Sequence, residues 1–141
     1  MQNETRLKIV VDTNLWISFL MSSPLERRLK RLLLSDKITF LFSAALFDEL
    51  ETTAKRRKFH RYFDASHVDD LILMLVEIAE TIEVRSSVDV CRDPKDNFLL
   101  ALAKDGRADY LITGDRDLLS VKKLGKMQIV TLYEFEIILA D

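Results

Sequence analysis

Four acidic residues of this sequence are the ones best placed to do chemistry. Asp12 and Asp115 follow short apolar runs, and Glu49 and Asp96 lie in the first turns of two predicted helices. Two bare carboxylates about 4 Å apart repel by ~4 kcal/mol at an effective dielectric near 20. A group of them must therefore take up protons or bind a cation. Because the donors are oxygens and no cluster of cysteine and histidine accompanies them, the cations that fit are hard divalent ions, Mg²⁺ or Mn²⁺.

The segments that carry these acids alternate between strand and helix patterns. Short, mostly apolar runs predict strands at Leu7–Val11, Ile38–Phe42, 82–85, 109–113 and 127–131. Helical spacing of apolar residues, together with capping residues, predicts helices through 16–20, 24–33, 43–55, 68–82, 93–104 and 132–139. Strands that alternate with helices predict an α/β fold, a three-layer α/β/α sandwich around a mainly parallel sheet.

This topology brings the acids toward one edge of the sheet. In open parallel sheets, ligands bind beyond the carboxyl ends of the strands. Asp12 and Asp115 fall at two such ends, and the helices that carry Glu49 and Asp96 follow strands or loops on the same side. We therefore expect four carboxylates from separate segments to converge on one site.

Ordinary structural roles stay open for each acid taken alone. Asp12 can cap the helix that follows it, and Asp96 can cap its helix or face the helix dipole. Glu49 and Glu51 flank the apolar stripe of their helix on opposite sides, so the helical wheel does not choose between them. Asp117, two residues beyond the last acid, can be a turn residue.

Composition limits the class of protein. The 141 residues suffice for one domain, spanning 1–141, and their 48% hydrophobic and 31% charged content is typical of a globular chain. A net charge of −2 argues against a strongly basic nucleic-acid binder. The lone Cys91 excludes an internal disulfide and a four-cysteine zinc site. Neither a membrane span nor a leader peptide is expected, so the predicted location is the cytoplasm.

A basic segment is the candidate contact for nucleic acid. Its cations are Lys55, Arg56, Arg57 and Lys58, and the aromatic residues 59, 62 and 63 lie among and after them. Such cations can follow phosphates while the rings stack on unpaired bases. The alternative is a solvated helix end whose positive charges suit the helix dipole.

Four motifs together resemble the PIN-domain ribonucleases, and most of all the small single-domain toxins of prokaryotic toxin–antitoxin systems. They are IVVDTN at 9–14, SAALFDEL at 43–50, DPKDNFLLALA at 93–103 and DYLITGDRDLL at 109–119. Each motif alone is weakly specific, but the four occur in the family's order and cover almost the whole chain.

The resemblance implies a three-layer sandwich that cleaves RNA with one or two Mg²⁺ or Mn²⁺ ions. The catalytic acids carried over by motif are Asp12, Glu49, Asp96 and Asp115, of which Asp12, Asp96 and Asp115 would bind the metal. This match favours Glu49 over Glu51. Thr13, Asn14 and Thr113 match small polar residues of the family, and Asp117 is an alternative register for the last acid. The implied partners are an RNA substrate, a cognate antitoxin and a second copy of the chain.

Other functions remain to be weighed. An aspartyl phosphatase of the haloacid dehalogenase type wants a second Asp where this chain has Asn14. A nucleotide-hydrolysing motor needs a glycine-rich phosphate loop, which the sequence lacks. The remaining alternatives are a non-catalytic RNA- or cation-binding module and a structure-specific DNA nuclease, although the flap nucleases have helical insertions that are absent here.

Overall fold

The computed structural model describes residues 6–141, which form six strands and seven α-helices. The strands are β1 (Leu7–Val11), β2 (Ile38–Phe42), β3 (Glu80–Thr81), β4 (Tyr110–Ile112), β5 (Lys123–Leu124) and β6 (Met127–Val130). The helices are α1 (Thr13–Met21), α2 (Ser23–Leu33), α3 (Ala44–Ala54), α4 (Ala65–Ile78), α5 (Asn97–Asp105), α6 (Arg116–Leu119) and α7 (Leu132–Ala140). Single 3₁₀ turns cover Arg57–Phe59 and Pro94–Asp96. The expectation that there is no leader peptide is based on residues 1–6. Of these, only Arg6 is among the described residues.

The strands form one sheet in the order β3-β2-β1-β4-β6-β5. All neighbouring pairs are parallel except β5 and β6, which form an antiparallel hairpin. The register places Val11 of β1 opposite Ile112 of β4. After β1, the chain places β2 and β3 on one side of β1, and it then places β4 on the other side of β1. The predicted α/β fold with a mainly parallel sheet is confirmed.

Burial along the strands shows why helices cover both faces. Successive side chains of a strand point to opposite faces of the sheet. Phe40, Leu41 and Phe42 of β2 are nevertheless all buried, as are Ile9 and Val10 of β1. Both faces are therefore shielded from solvent, which is the three-layer arrangement.

Two helices illustrate how the core holds these layers together. Trp16 of α1 is fully buried and packs against Phe40 and Phe42, with ring centroids 5.7 and 5.9 Å away. Helix α5 contacts β1, β2 and β4, and its residues 99–103 are all buried. No helix in residues 6–141 is both long and apolar enough to cross a membrane.

Several predicted bounds were wrong. The helix predicted over 68–82 ends at Ile78, because Ala79 adopts an extended backbone and Glu80–Thr81 pair with β2. Ile82, the last member of the predicted helical stripe, is half-buried in the loop beyond, and the short strand predicted near 82–85 lies earlier in the chain, as β3. The helix predicted from Asp93 begins as a 3₁₀ turn, and α5 starts only at Asn97. Neither α6 nor β5 was predicted, since elements of four and two residues carry almost no periodic signal.

Candidate active site

Asp12 lies at the point of the sheet where the strand order reverses, because β2 lies on one side of β1 and β4 lies on the other. It follows β1, and its backbone N–H donates to the carbonyl oxygen of Ile112 at 3.0 Å. Its side chain is only 4% exposed, and Oδ1 accepts the N–H of Asn14, which caps α1. Burial raises the pKa of Asp12, although hydrogen bonds from Thr113 and Asn14 oppose that rise. The capping role left open by the sequence is therefore real, and it coexists with a place in the acid cluster.

Thr113 joins Asp12 to Asp115. The hydroxyl of Thr113 is completely buried and donates to Asp12 Oδ2 at 2.6 Å. The same oxygen accepts the backbone N–H of Asp115 at 3.0 Å. Asp115 in turn caps α6, accepting the N–H of Asp117 at 2.8 Å. A single hydroxyl thus fixes the positions of two acids that follow neighbouring strands.

Asp96 completes this group from a third element. It ends the 3₁₀ turn before α5, where Asp93 provides the side-chain cap by accepting the N–H of Lys95. The carboxyl of Asp96 makes no capping bond of its own. Burial raises its pKa to about 7, with further increases from a hydrogen bond and repulsion with Asp115 and from repulsion by Asp12. The three acids Asp12, Asp96 and Asp115 are therefore close enough to act on one another's charge.

Glu49 approaches the cluster from α3 and remains exposed to solvent. It is the sixth residue of α3, in the second helical turn and not the first as predicted. Its Oε2 accepts the hydroxyl of Thr53 at 3.3 Å, and its negative charge contributes to the raised pKa of Asp12. Glu51 instead forms an ion pair with Lys55 at 3.0 Å. Of the two glutamates that the helical wheel left open, Glu49 is the one whose charge reaches the cluster.

The residues expected to support the acids take different positions. Asp117 forms an ion pair with Arg92 at 3.1 Å, so a neighbouring cation already offsets its negative charge. The hydroxyl of Thr13 is buried without a hydrogen-bond partner in the described part of the chain. Asn14 is exposed and contributes its backbone N–H to Asp12. Asp115, whose repulsion acts on both Asp12 and Asp96, is thus the better fit than Asp117 for the fourth acid.

Two residues near the acids were missed in the sequence. Asn97 Oδ1 accepts the backbone N–H groups of Val90 and Cys91, which ties the preceding loop to the start of α5. This bond brings the buried Cys91 thiol to 4.0 Å from Asp96 Oδ2. The only available signal was the Asp-Asn pair at 96–97, whose second residue reads as an ordinary polar position on the helix.

The predicted nucleic-acid contacts are unequal. Lys55 is committed to two carboxylates, Glu51 at 3.0 Å and Asp69 at 2.9 Å. Arg56, Arg57 and Lys58 are exposed, and Lys58 lies 5.2 Å from the ring centroid of Phe59. Phe63 of the same segment is buried. Within the described residues, Arg56 is therefore the first cation of this segment that is not paired with a carboxylate.

The acids fit a hard divalent ion by their chemistry. Burial and, after it, repulsion from neighbouring carboxylates such as Asp115 raise the pKa values of Asp12 and Asp96, and a bound cation would favour the charged forms instead. Within residues 6–141, no three Asp, Glu, His or Cys side chains already converge tightly enough to hold a metal. The donor set, carboxylate oxygens alone, matches Mg²⁺ or Mn²⁺.

Comparisons with known proteins identify the family and the fold of this chain. An uncharacterized protein of Methanocaldococcus jannaschii, MJ1680, is 26% identical over 123 residues, which cover 86% of this chain and 79% of that protein. A chain in the 2.2 Å structure of VapBC-1 from nontypeable Haemophilus influenzae matches with a TM-score of 0.57 and 14% identity. The match covers 90% of this chain and 99% of that one, and at this identity it shows a common fold. The family model for the PIN domain matches residues 8–117, a range that contains all four acids, so this chain belongs to the PIN domain family.

Proposed function

We propose that this PIN domain is a divalent-metal-dependent endoribonuclease and the toxin component of a toxin–antitoxin system. PIN domains are generally nucleases that use divalent metal ions. The observation that carries the proposal is the hydrogen-bonded series Asp12–Thr113–Asp115, with Asp96 beside it, at the reversal point of the sheet. Ligand sites of open parallel sheets form at such points.

Each acid has a role in hydrolysis of a phosphodiester. Asp12, Asp96 and Asp115 would hold one or two Mg²⁺ or Mn²⁺ ions. When bound, such ions neutralise the phosphate charge and lower the pKa of water. Glu49, exposed at the rim, would orient the attacking water and accept its proton, or help to hold a second ion. Attack by water leaves a 5′-phosphate and a 3′-hydroxyl.

Cleavage of a mixed RNA pool with and without Mn²⁺ tests this proposal. Asp12→Asn is expected to abolish cleavage while the protein stays folded, because asparagine also caps helices well. Asp36→Asn, an exposed acid in the loop between α2 and β2, is the matched control and should cleave like the wild type. Metal-independent cleavage, or full activity of Asp12→Asn, would contradict the assignment. Cleavage of DNA alone would favour the DNA nuclease, and no cleavage of either would favour a binding module.

Glu49 has a matched control on its own helix. Removal of a general base typically costs 10²- to 10⁴-fold in rate. Glu49→Gln should therefore lose most of the cleavage rate, whereas Glu51→Gln removes only a surface ion pair and should retain it. Equal rates for the two variants would remove Glu49 from the mechanism.

The exposed cations Arg56, Arg57 and Lys58 extend the proposed RNA contact, and Lys55 borders it. Charge reversal of Arg56 and Arg57 should weaken RNA binding and reduce its salt dependence, because each lost phosphate contact removes roughly 0.7 from the logarithmic slope for a single strand. An unchanged slope would assign both residues to the solvated surface.

As a toxin, the protein would act on its RNA substrate in the cytoplasm and would bind protein partners there. We propose that a cognate antitoxin covers the acid site and that the chain pairs with a second copy. Leu73 and Val76, which are 63% and 55% exposed on α4, offer an apolar surface for such contacts, whereas Trp16 is buried in the core. Induced expression in bacteria should arrest growth, and the Asp12→Asn variant should not. Growth arrest by both proteins would separate toxicity from cleavage.

A further inference from the structure

A cleft beside the acid site has chemistry of its own. It has a volume of about 430 Å³ and is lined by Ala45, Glu49, Arg56, Lys95 and Phe98. Glu49, one of the four candidate acids, lines this cleft, and Lys95 directly precedes Asp96 in the chain, so the cleft borders the acids. Lys95 and Phe98 come from the 3₁₀ turn and the helix that position Asp96. A ligand in the cleft would therefore lie next to the reacting centre.

The cations of this cleft are free to bind an anion. Arg56 and Lys95 are both exposed, and neither forms a salt bridge within residues 6–141, although both line the cleft with Glu49. Neighbouring Lys55, in contrast, is held by two carboxylates. A guanidinium and an ammonium on one cleft provide the fork and the point charge that phosphate oxygens accept.

Phe98 supplies an aromatic surface in the same cleft. It is half-buried at the start of α5 and borders a second cavity of about 240 Å³, which also includes Ala45 and Ser87. Ala45 and Phe98 line both cavities, so the ring borders two openings. A flat ring between two openings suits a base that has left its stack.

We infer that this cleft binds one unpaired nucleotide next to the scissile phosphate, with Arg56 and Lys95 contacting phosphate and Phe98 stacking on the base. The inference rests on the proposed ribonuclease function and names a subsite for its substrate. It implies a preference for single-stranded over duplex RNA, because a paired base cannot present its face to Phe98.

Binding of a fluorescent single-stranded oligoribonucleotide to Asp12→Asn protein tests the subsite without cleavage. In that background, Phe98→Ala should weaken binding by between about 5- and 150-fold, the range for losing one base–aromatic stack. Phe98→Trp in the same background keeps an aromatic ring and should bind as strongly as the Asp12→Asn protein. Arg56→Ala and Lys95→Ala should each reduce the logarithmic salt slope by roughly 0.7. Tyr133→Ala and Lys30→Ala, exposed residues of α7 and α2, are the matched controls and should bind normally.

The outcomes distinguish the subsite from the proposed function. Unchanged binding after Phe98→Ala, or equal affinity for duplex RNA, would overturn the subsite even if the wild type cleaves RNA with Mn²⁺. If the wild type cleaves nothing, the ribonuclease proposal fails, and the Asp12→Asn binding series still decides whether the cleft takes a nucleotide. Equal loss of binding in the two control variants would show that the effect is not confined to the cleft and would overturn the subsite.

Discussion

At the scale of single residues, Thr113 is the link on which the acid cluster depends. Its one oxygen serves as donor to Asp12 and as acceptor for the N–H of Asp115. Because the side chain is fully buried, water cannot replace either bond when the hydroxyl is removed. The orientation of two acids therefore follows from one side chain that is not itself acidic.

Replacing Thr113 by valine keeps the shape of the side chain but removes both hydrogen bonds. We expect a loss of about 1–3 kcal/mol in the free energy of unfolding, the cost of leaving buried polar groups without partners. RNA cleavage should fall by tenfold or more, since Asp12 and Asp115 lose their common anchor. Urea unfolding and a cleavage assay measure the two effects.

Thr113→Ser is the control because it retains the hydroxyl and loses only a methyl group, worth about 0.8 kcal/mol. This variant should keep most of the cleavage activity. Equal activity of the valine and serine variants would mean that the hydroxyl does not position the acids.

At the scale of elements, α5 is held so close to the sheet that its end requires glycine. Gly106 ends α5 with an ordinary negative φ of −84°, so conformational freedom is not the reason for its presence. A Cβ at this position would lie 2.6 Å from Leu41 Cδ1 and 3.1 Å from the carbonyl oxygen of Leu102. The glycine permits close packing of the helix that carries Asp96 at its other end.

Gly106→Ala should destabilise the protein. Overpacking typically costs about 1–3 kcal/mol, and the reduced entropy of the unfolded chain returns only about 0.4–1 kcal/mol. Gly114→Ala is the matched control for stability, because a Cβ there meets nothing within 4 Å. Thermal unfolding of the two variants measures the difference, and equal melting temperatures would show that Leu41 moves aside at little cost.

Sequence patterns predicted this level of the structure unevenly. The strand before Asp12 ends at Val11 as predicted, and the strand before Asp115 ends at Ile112, one residue before its predicted end at Thr113. The end of α4 was missed because Ile82 continues the apolar spacing while being half-buried from a loop. The choice of Glu49 over Glu51 depends on which side of α3 faces the sheet edge, which is a tertiary property that the helical wheel does not contain.

At the scale of the whole molecule, the acid cluster makes folding stability depend on pH. The pKa of Asp96 is raised to about 7, and that of Asp12 is raised as well, each chiefly by burial. Between the usual aspartate pKa near 3.9 and these raised values, the native state holds protons that the unfolded chain has released. The free energy of unfolding therefore falls as pH rises through this window.

Urea unfolding in a chelator should show this loss of stability between pH 5 and pH 7.5. Asp96→Asn should have a shallower slope than the wild type, because it lacks the carboxyl that titrates. Excess Mn²⁺ at pH 7.5 should restore stability to the wild type, by about 2.7 kcal/mol at a hundred times the dissociation constant. Parallel pH curves for the two proteins would mean that Asp96 does not carry the effect.

The cluster as a whole was predictable only in part. The sequence puts Asp12 directly after one predicted strand and Thr113 at the end of another, but only the sheet order makes those strands neighbours. The ion pairs Lys55–Asp69 and Asp117–Arg92 were not predictable, because Asp69 lies on a separate helix and Arg92 in a loop, and no local pattern specifies where these segments pack. The resemblance of the motifs added what periodicity lacked, namely the preference for Glu49 over Glu51.

The pairing of β1 with β4 has a consequence for synthesis of the chain on the ribosome. Asp12 is made early, yet its partner hydroxyl at Thr113 lies 101 residues later. A nascent chain whose β4 is still inside the ribosome contains Asp12, but the residues that complete the cluster cannot yet pack beside it. Fragments that terminate before β4 are therefore expected to be inert, and a cell that produces this protein is exposed to its chemistry only from copies whose synthesis has passed Asp115.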